Sequence, residues 1–315
     1  MKSAFLKMHL AVLLWGFTGI LGRAISLSAP VLVWYRMLLA TVILGGIIFI
    51  RQKGESIEKK DRLKLMGIGV MYAIHWLCFY GSIKLANASI AVVCLATASV
   101  FIAIFDPLIN KGRIKATELI IGGIALCGVL CIYLLHPETP NNTQQPMKNF
   151  QLGLLLGLLA AIISAIFTAF NKPLAEKYTA RPLVFWEMIS GFVFVSCLLP
   201  FYLQWQANEA FLPQGWDYLW IFLLGYCCTV WGQSLAMAAL KHLSAFTTTI
   251  SVNLEPVYGI VLVFLIFQEN TQLGYGFYIG MTLIFASVAL QIFLSIREGR
   301  ERRKALKAEL LSANP

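Results

Sequence analysis

The sequence predicts an all-α membrane protein with ten transmembrane helices in two inverted five-helix repeats and both termini in the cytoplasm. Ten apolar stretches of about twenty residues run from Phe5 to Ile296, each bounded by polar or charged residues. Twenty residues of α-helix rise about 30 Å, which is the thickness of a bilayer core. Hydrophobic residues make up 59% of the chain and charged residues 13%, whereas about a quarter of a soluble domain is charged.

The first five spans are predicted from their apolar length and from the charged residues that separate them. Lys2 and Lys7 precede the first span, which is long and has no clear small-residue cleavage site, so we expect an uncleaved helix rather than a signal peptide. The connection 51–64 separates the second span from the third. These five spans are predicted at residues 5–25, 30–50, 63–85, 88–109 and 117–136.

The second five spans follow a polar, proline-rich segment that extends over residues 135–151. A helix is the expected structure in every span, because lipid offers no partner to the backbone groups of an open strand. None of the spans alternates polar and apolar residues as a barrel strand would. The remaining spans are predicted at residues 152–171, 182–203, 216–240, 245–268 and 273–296.

The distribution of positive charge predicts the orientation. With the N-terminus inside, all but four of the 25 Lys and Arg residues fall on the cytoplasmic side, the exceptions being Arg23, Lys84, Lys148 and the intramembrane Arg36. Cytoplasmic loops retain Lys and Arg, so both termini are expected in the cytoplasm. The expected location is the inner membrane of a bacterial cell, as a multi-pass protein. The same bias accounts for the net charge of +10, and no nucleic-acid partner is expected.

The span count predicts an inverted repeat. We expect a first repeat at 1–136, a polar loop at 137–151, a second repeat at 152–296 and a basic cytoplasmic tail at 297–315. Since five spans are an odd number, two successive copies must lie upside down relative to each other, as in many secondary transporters. In sequence, 29–37 can be aligned with 180–188, and 84–112 with 241–269.

Two ionisable residues near the middle of the predicted membrane are the first candidates for substrate or coupling groups. Glu255 lies about halfway along the ninth span and is followed by Pro256, which would kink the helix and free a backbone carbonyl. A buried carboxyl at this depth is suited to proton uptake; the alternative is a kink beside a hydrogen-bonded structural Glu. His75 suits a proton relay, and the alternative is a hydrogen bond between two helices.

Arg36 and Glu187 are further candidates for substrate or coupling groups. Their predicted levels in the membrane differ by about 13 Å at the helical rise per residue, so no static pair is expected. We predict that they occupy equivalent places in the two halves, one near each mouth of a central pathway. The alternative for Arg36 is that its side chain reaches the outer head groups. The residues predicted to line the cavity are Trp15, Trp34, Trp76, Tyr80, Trp186, Trp231, Gln233 and Asn253.

A group of short motifs is spread over the two halves of the chain: Trp15-Gly16, Arg36, Leu254-Glu255-Pro256-Val257 and Glu269. In these residues the chain resembles the EamA-type ten-helix transporters of the drug/metabolite transporter superfamily, and the resemblance covers essentially the whole chain. Ser99 and Gly112 depart from it, because the first repeat of the family often has Pro and Glu there. The resemblance implies export of small metabolites or amino acids by alternating access. It also implies four helices from each half around a cavity, with the fifth and tenth outside.

The prediction is therefore a secondary transporter, an exporter of amino acids or related compounds with protons as the expected coupling ion. No metal ion or cofactor is expected, and the expected partners are a small-molecule substrate and the lipid bilayer, with the protein a monomer or homodimer. An enzyme is disfavoured because the zinc, phosphate-loop and nucleophile-elbow motifs are missing. An uptake permease, a facilitator of another solute and an intramembrane enzyme remain alternatives.

Overall fold

The computed structural model describes the chain as a helical bundle. The described residues are 2–51, 56–111, 116–135, 147–206, 209–240, 242–243, 251–252, 254–271 and 273–312. Within these ranges the regular structure is helical, with no β-strand. The same ranges contain nine helices long and apolar enough to cross a membrane, together with a shorter apolar helix in the predicted ninth span.

The first half of the chain forms five spans, of which the first and fourth are each divided into two helices. Short breaks at Phe17 and Thr97 make these divisions. The helices are α1 (Lys2–Gly16), α2 (Thr18–Ala24), α3 (Ala29–Arg51), α4 (Lys59–Leu85), α5 (Ala88–Ala96), α6 (Ala98–Ile109) and α7 (Ala116–Leu134).

The second half repeats this order, with a π-helical segment (Leu223–Trp231) inside the eighth span. Residues 245–250 and 253 of the predicted ninth span lie outside the described residues. A 3₁₀ turn at Glu269–Thr271 follows that span. The helices are α8 (Met147–Lys177), α9 (Ala180–Trp205), α10 (Asp217–Phe222), α11 (Gly232–Leu240), α12 (Glu255–Phe267) and α13 (Tyr275–Ser312).

Two predicted boundaries differ from the structure. Helix α8 begins at Met147, so residues 147–151 of the predicted polar loop are helical. Helix α13 continues to Ser312, and the basic tail therefore extends the last span instead of forming a separate element. In both places the residues beyond the apolar stretch are mainly good helix formers, so the helix extends past the apolar residues from which its end was predicted.

The packing of the helices has the symmetry of an inverted repeat. In the first half α4 packs on α8 and α9, and in the second the eighth span packs correspondingly on α1 and α3. Likewise α6 contacts α8 as α12 contacts α1, while α5 and α12 contact each other. The fifth and tenth spans, α7 and α13, form a pair of their own. The predicted fold of two five-helix repeats is thus confirmed.

The pairing of α7 with α13 depends on a close approach at two glycines. A Cβ added at Gly280 would lie 2.3 Å from the carbonyl oxygen of Gly128. We expect Gly280→Leu to separate the two helices and to lower the free energy of unfolding by about 1–3 kcal/mol. Thermal unfolding of the detergent-solubilised protein measures this. Gly123→Leu is the control because a Cβ there meets no atom within 4 Å, and equal melting temperatures would contradict the prediction.

Candidate functional site

A cavity of about 540 Å³ lies between the two halves of the bundle. This volume is typical of sites for small ligands. Asp106, Lys172 and Glu176 lie at its rim, which we call the mouth, and Thr18 and Arg36 lie at its deep end. The mouth is on the predicted cytoplasmic side. The wall is contributed by both repeats, so a solute inside it would contact both.

Arg36 is fixed at the deep end of the cavity. Its Nε donates to Thr229 Oγ1 over 2.7 Å, and its Nη1 donates to the hydroxyl of Tyr80 over 2.5 Å. The guanidinium carbon lies 3.6 Å from the ring centroid of Trp76. These contacts are all neutral, and the described ion pairs do not include Arg36. The cation is thus oriented by three neighbours that carry no charge.

The π-helical segment of the eighth span helps to position this guanidinium. Thr229 donates to the carbonyl oxygen of Leu224 five residues earlier, over 2.9 Å, which turns the Thr229 oxygen toward Arg36. Such π-bulges occur frequently at functional sites. Arg36 is only 2% exposed, so the alternative in which it reaches the outer head groups is wrong. Its depth also differs from the predicted position near a mouth.

Glu255 faces the same cavity from the second repeat. It is the first residue of α12, and Pro256 occupies the first turn of that helix, where proline is tolerated because no backbone donor is lost. The predicted kink is therefore a helix start that interrupts the ninth span. Arg36 is near enough to interact electrostatically with Glu255, although the two form no ion pair among the described contacts.

The fourth and ninth spans are interrupted at equivalent positions. Thr97, between α5 and α6, aligns with Leu254, which precedes α12. The first repeat has no proline here; instead, Thr97 Oγ1 donates to the carbonyl oxygen of Cys94 over 2.6 Å, a side-chain bond that competes with the helical pattern. The two halves therefore break alike by different chemistry, and the cavity lies beside both breaks. Discontinuous helices commonly surround transporter sites.

His75 lies on the cavity wall and also joins two helices. Its Nδ1 is 2.8 Å from the carbonyl oxygen of Ala160. Since a carbonyl can only accept, Nδ1 is the donor, which leaves Nε2 as an acceptor in the neutral ring. The imidazole also packs edge-on against Phe167 at 5.5 Å between centroids. This geometry fits the alternative in which His75 forms a hydrogen bond between two helices.

Glu187 lies behind the cavity wall rather than near a mouth. It is 0% exposed, and its carboxyl faces Asn171 of α8. At ordinary hydrogen-bond distances neither side chain has a partner among the described residues. Asn171 and Tyr72 line the cavity, and both are near enough to interact with this carboxyl. Glu187 is thus a buried carboxyl whose neighbours form part of the cavity wall.

Half of the residues predicted to line the cavity are placed elsewhere. Trp15, Trp76 and Gln233 are on the wall, and Asn253 lies outside the described residues. Tyr80 is covered by Arg36, and Trp34 donates to Ser196 Oγ on α9 over 2.9 Å. Trp186 stacks below Arg62, 5.1 Å from the guanidinium carbon, and Trp231 is 44% exposed on the bundle surface. These four were predicted from their position along the helix near polar residues, which does not define the face on which a side chain lies.

Three comparisons identify the kind of protein. The chain matches the EamA-like transporter family over residues 2–134 and 151–293. It is similar to "Uncharacterized transporter YetK" of Bacillus subtilis (strain 168), with 22% identity over 297 residues that cover 92% of this chain and 87% of the relative. A solved structure described as "Crystal structure of protein" covers 94% of this chain and 97% of its own, with 15% identity and a TM-score of 0.63.

The family match and the relative agree on the class of function. The solved structure, at its low identity, shows the fold alone. The family and the relative support transport of small solutes across a membrane and not an enzymatic activity. The chain spans the bilayer several times and belongs to the EamA-like transporter family.

Proposed function

We propose that this protein is a secondary exporter of amino acids or related zwitterions in the inner membrane of a bacterium, working by alternating access. The observation that carries the proposal is the arrangement of Arg36 and Glu255 on one small cavity. The guanidinium has no anionic partner among the described residues and is already oriented, as a site for a carboxylate requires. The carboxyl of Glu255 is suited to an ammonium group.

The rest of the wall supports a small amphipathic substrate. Trp15, Trp76, Phe79 and Phe167 supply aromatic surface beside the two charged groups. Ligand sites usually combine apolar walls with a few polar groups that set orientation. A zwitterion would match both charges and place its side chain against the rings.

The architecture supports alternating access. Arg36 belongs to the first repeat and Glu255 to the second. A substrate bound to both would therefore depend on the relative position of the two halves. Three of the cavity-lining spans, the first, the fourth and the ninth, are interrupted beside the site, which allows their segments to tilt separately. Glu255 is the proposed proton carrier, and Glu187 is a second candidate. The protein works as a monomer or a homodimer.

Flux in proteoliposomes tests the proposal. Vesicles are loaded with a pooled set of amino acids, nucleobases and sugars, and the loss of each compound is followed by mass spectrometry with and without a proton gradient. We expect selective loss of a few amino acids, faster with protons moving in the opposite direction. Uptake without export would favour the permease alternative. No flux of any compound through folded protein would contradict the proposal.

A further inference from the structure

Polar contacts join the helix ends on the side of the bundle opposite the mouth. Arg23, at the end of α2, forms an ion pair with Glu269, which follows α12. The same carboxylate accepts from Ser89 in the first turn of α5, through its hydroxyl and through its backbone N–H over 2.8 Å. We call Arg23, Ser89 and Glu269 the latch. It joins the first, fourth and ninth spans, all of which border the cavity.

Glu269, the acidic member of the latch, is buried and hydrogen-bonded, while the side chain of Arg23 is 32% exposed. Glu269 is 1% exposed, and a further donor, the backbone N–H of Ala88, lies 3.3 Å from it. The carboxylate therefore caps α5, where a negative charge is stabilised by the helix dipole. The guanidinium of Arg23 also lies 4.5 Å from the ring centroid of Phe267. Parting these helix ends would leave a buried charge without its donors, which is costly.

Tight packing fills the space between the latch and the cavity. Arg23 is five residues beyond Thr18, which puts it about 7.5 Å further along the helix axis. Over that distance, a Cβ at Gly19 would lie 3.0 Å from Val92, and one at Gly22 would lie 2.5 Å from the ring of Tyr80. The layer leaves no room for a solute. A substrate can leave on the latch side only if α2 moves away from α4 and α5.

The two repeats are not equivalent in this feature. Another acid of the latch side does have a counterpart in the other repeat. Asp217, at the start of the eighth span, accepts from the backbone N–H of Ser26 over 2.9 Å. Asp61, at the start of the third span, likewise accepts from the hydroxyl of Tyr178 over 3.0 Å. By the repeat alignment, however, Glu269 corresponds to Gly112.

The basic member of the latch is also missing from the other repeat. When the alignment of 29–37 with 180–188 is extended backwards, Arg23 corresponds to Leu174. The corresponding spans at the mouth, the sixth and the fourth, are joined by a different ion pair, with Lys172 Nζ 3.3 Å from Asp106 Oδ2. Those two side chains are 40% and 32% exposed, whereas Glu269 is 1% exposed, so the latch is the more buried of the two ion pairs.

We propose that Arg23, Ser89 and Glu269 form the gate of the side opposite the mouth. Because its carboxylate is more buried and accepts more hydrogen bonds than Asp106 of the ion pair at the mouth, this gate makes the mouth-open state the resting state of the protein. Its release is the step that exposes the cavity to the other side of the membrane. The inference rests on the proposed function, since a gate of this kind has a role only in a carrier.

A labelling experiment tests the gate without any substrate. The seven cysteines are replaced by alanine and Ser164, on the cavity wall, is changed to Cys. A membrane-impermeant maleimide is then added to one face of sealed vesicles at a time. We expect labelling from the mouth side only. In Glu269→Gln, labelling from the latch side should become about tenfold faster, as a shift between two states requires.

Two further variants make the result specific. Arg23→Gln removes the other half of the ion pair and should give the same change, and the double variant should add little because both act on one contact. Glu209→Gln is the matched control, since Glu209 is an exposed acid on the latch side. Latch-side labelling that stays at the control level in both single variants would overturn the proposal.

Hydrogen exchange provides a second measurement on the chain with its natural cysteines. The backbone N–H of Ser89 is protected by its bond to Glu269 and should exchange faster in Glu269→Ala, whereas unchanged exchange would also count against the latch. The outcomes separate the two proposals. Faster latch-side labelling in the variants, without flux of any compound, would support the gate and contradict amino-acid export. Amino-acid flux with latch-side labelling that is unchanged in the variants would support export and contradict the gate.

Discussion

Arg36→Met is expected to abolish substrate flux while leaving the fold intact. The guanidinium is the group proposed to hold the carboxylate of the substrate, and truncating one partner of a buried charge pair costs about 3 kcal/mol, which is about a 150-fold loss of binding. The free energy of unfolding, in contrast, should stay the same or rise. A buried cation with neutral partners only is costly in the empty protein, and an apolar residue of similar volume is often neutral or stabilising.

The control uses the same chemistry at a different place. Arg62 also lies over a tryptophan, with its guanidinium carbon 5.1 Å from the Trp186 ring, but it does not line the cavity. Arg62→Met should therefore retain flux. Binding is measured by the quenching of tryptophan fluorescence on titration with the exported compound, and stability by thermal unfolding. If Arg36→Met binds the substrate as tightly as the unchanged protein, Arg36 is a packing residue and the carboxylate site must be sought elsewhere.

Arg36→Lys sharpens the test. Lysine keeps the charge but cannot donate to Thr229 and Tyr80 while also presenting a planar pair of donors to a carboxylate. We expect partial binding with flux well below that of the unchanged protein. Full flux in this variant would mean that charge alone matters and that the orientation by the π-helical segment is unimportant.

The spans could be predicted from the sequence because their signal is one-dimensional. Apolar length and flanking charge fix where a chain enters and leaves a bilayer, and each predicted span coincides with an apolar helix or part of one. The sixth span shows the limit. Its predicted end at Asn171 makes that residue look like a boundary, yet α8 continues to Lys177, and Asn171 is buried beside Glu187.

The composition of the cavity was harder to predict because it depends on which face of each helix points inward. Of the residues predicted to line the cavity, Trp15, Trp76 and Gln233 lie on its wall, whereas Trp231 faces outward. Neighbouring residues on a helix differ by about 100°, so residues at one depth can face opposite ways. The latch was missed for another reason. Arg23, Ser89 and Glu269 come from three distant segments, and no spacing in the sequence links them.

The break in the fourth span shows how one geometry can arise from different residues. Ser99 stands where the first repeat of this family often has a proline, so the sequence alone did not predict a bend there. The structure interrupts both halves at aligned residues because Thr97 bonds back to Cys94. A sequence pattern based on proline cannot detect this substitution, whereas a rule based on competing side-chain bonds could have found it.

Glu255→Gln is expected to remove the coupling of transport to protons. The amide keeps the size of the side chain and most of its hydrogen bonding but cannot exchange a proton at any ordinary pH. Flux that a gradient accelerates in the unchanged protein should become the same with and without the gradient. Exchange of labelled for unlabelled substrate needs no net proton movement and should persist, although about tenfold slower if the ammonium group loses a charged partner.

Two further carboxyls decide whether this effect belongs to Glu255. Glu176 is an exposed acid at the mouth of the same cavity, and Glu176→Gln should leave the dependence of flux on pH unchanged. Glu187 is buried behind the wall, and Glu187→Gln tests whether Glu187 carries the proton instead of Glu255. If Glu255→Gln kept full flux with the same pH dependence, the role proposed for Glu255 would be wrong. If only Glu187→Gln removed that dependence, the proton would travel between α8 and α9, outside the cavity, and substrate and proton would occupy separate sites.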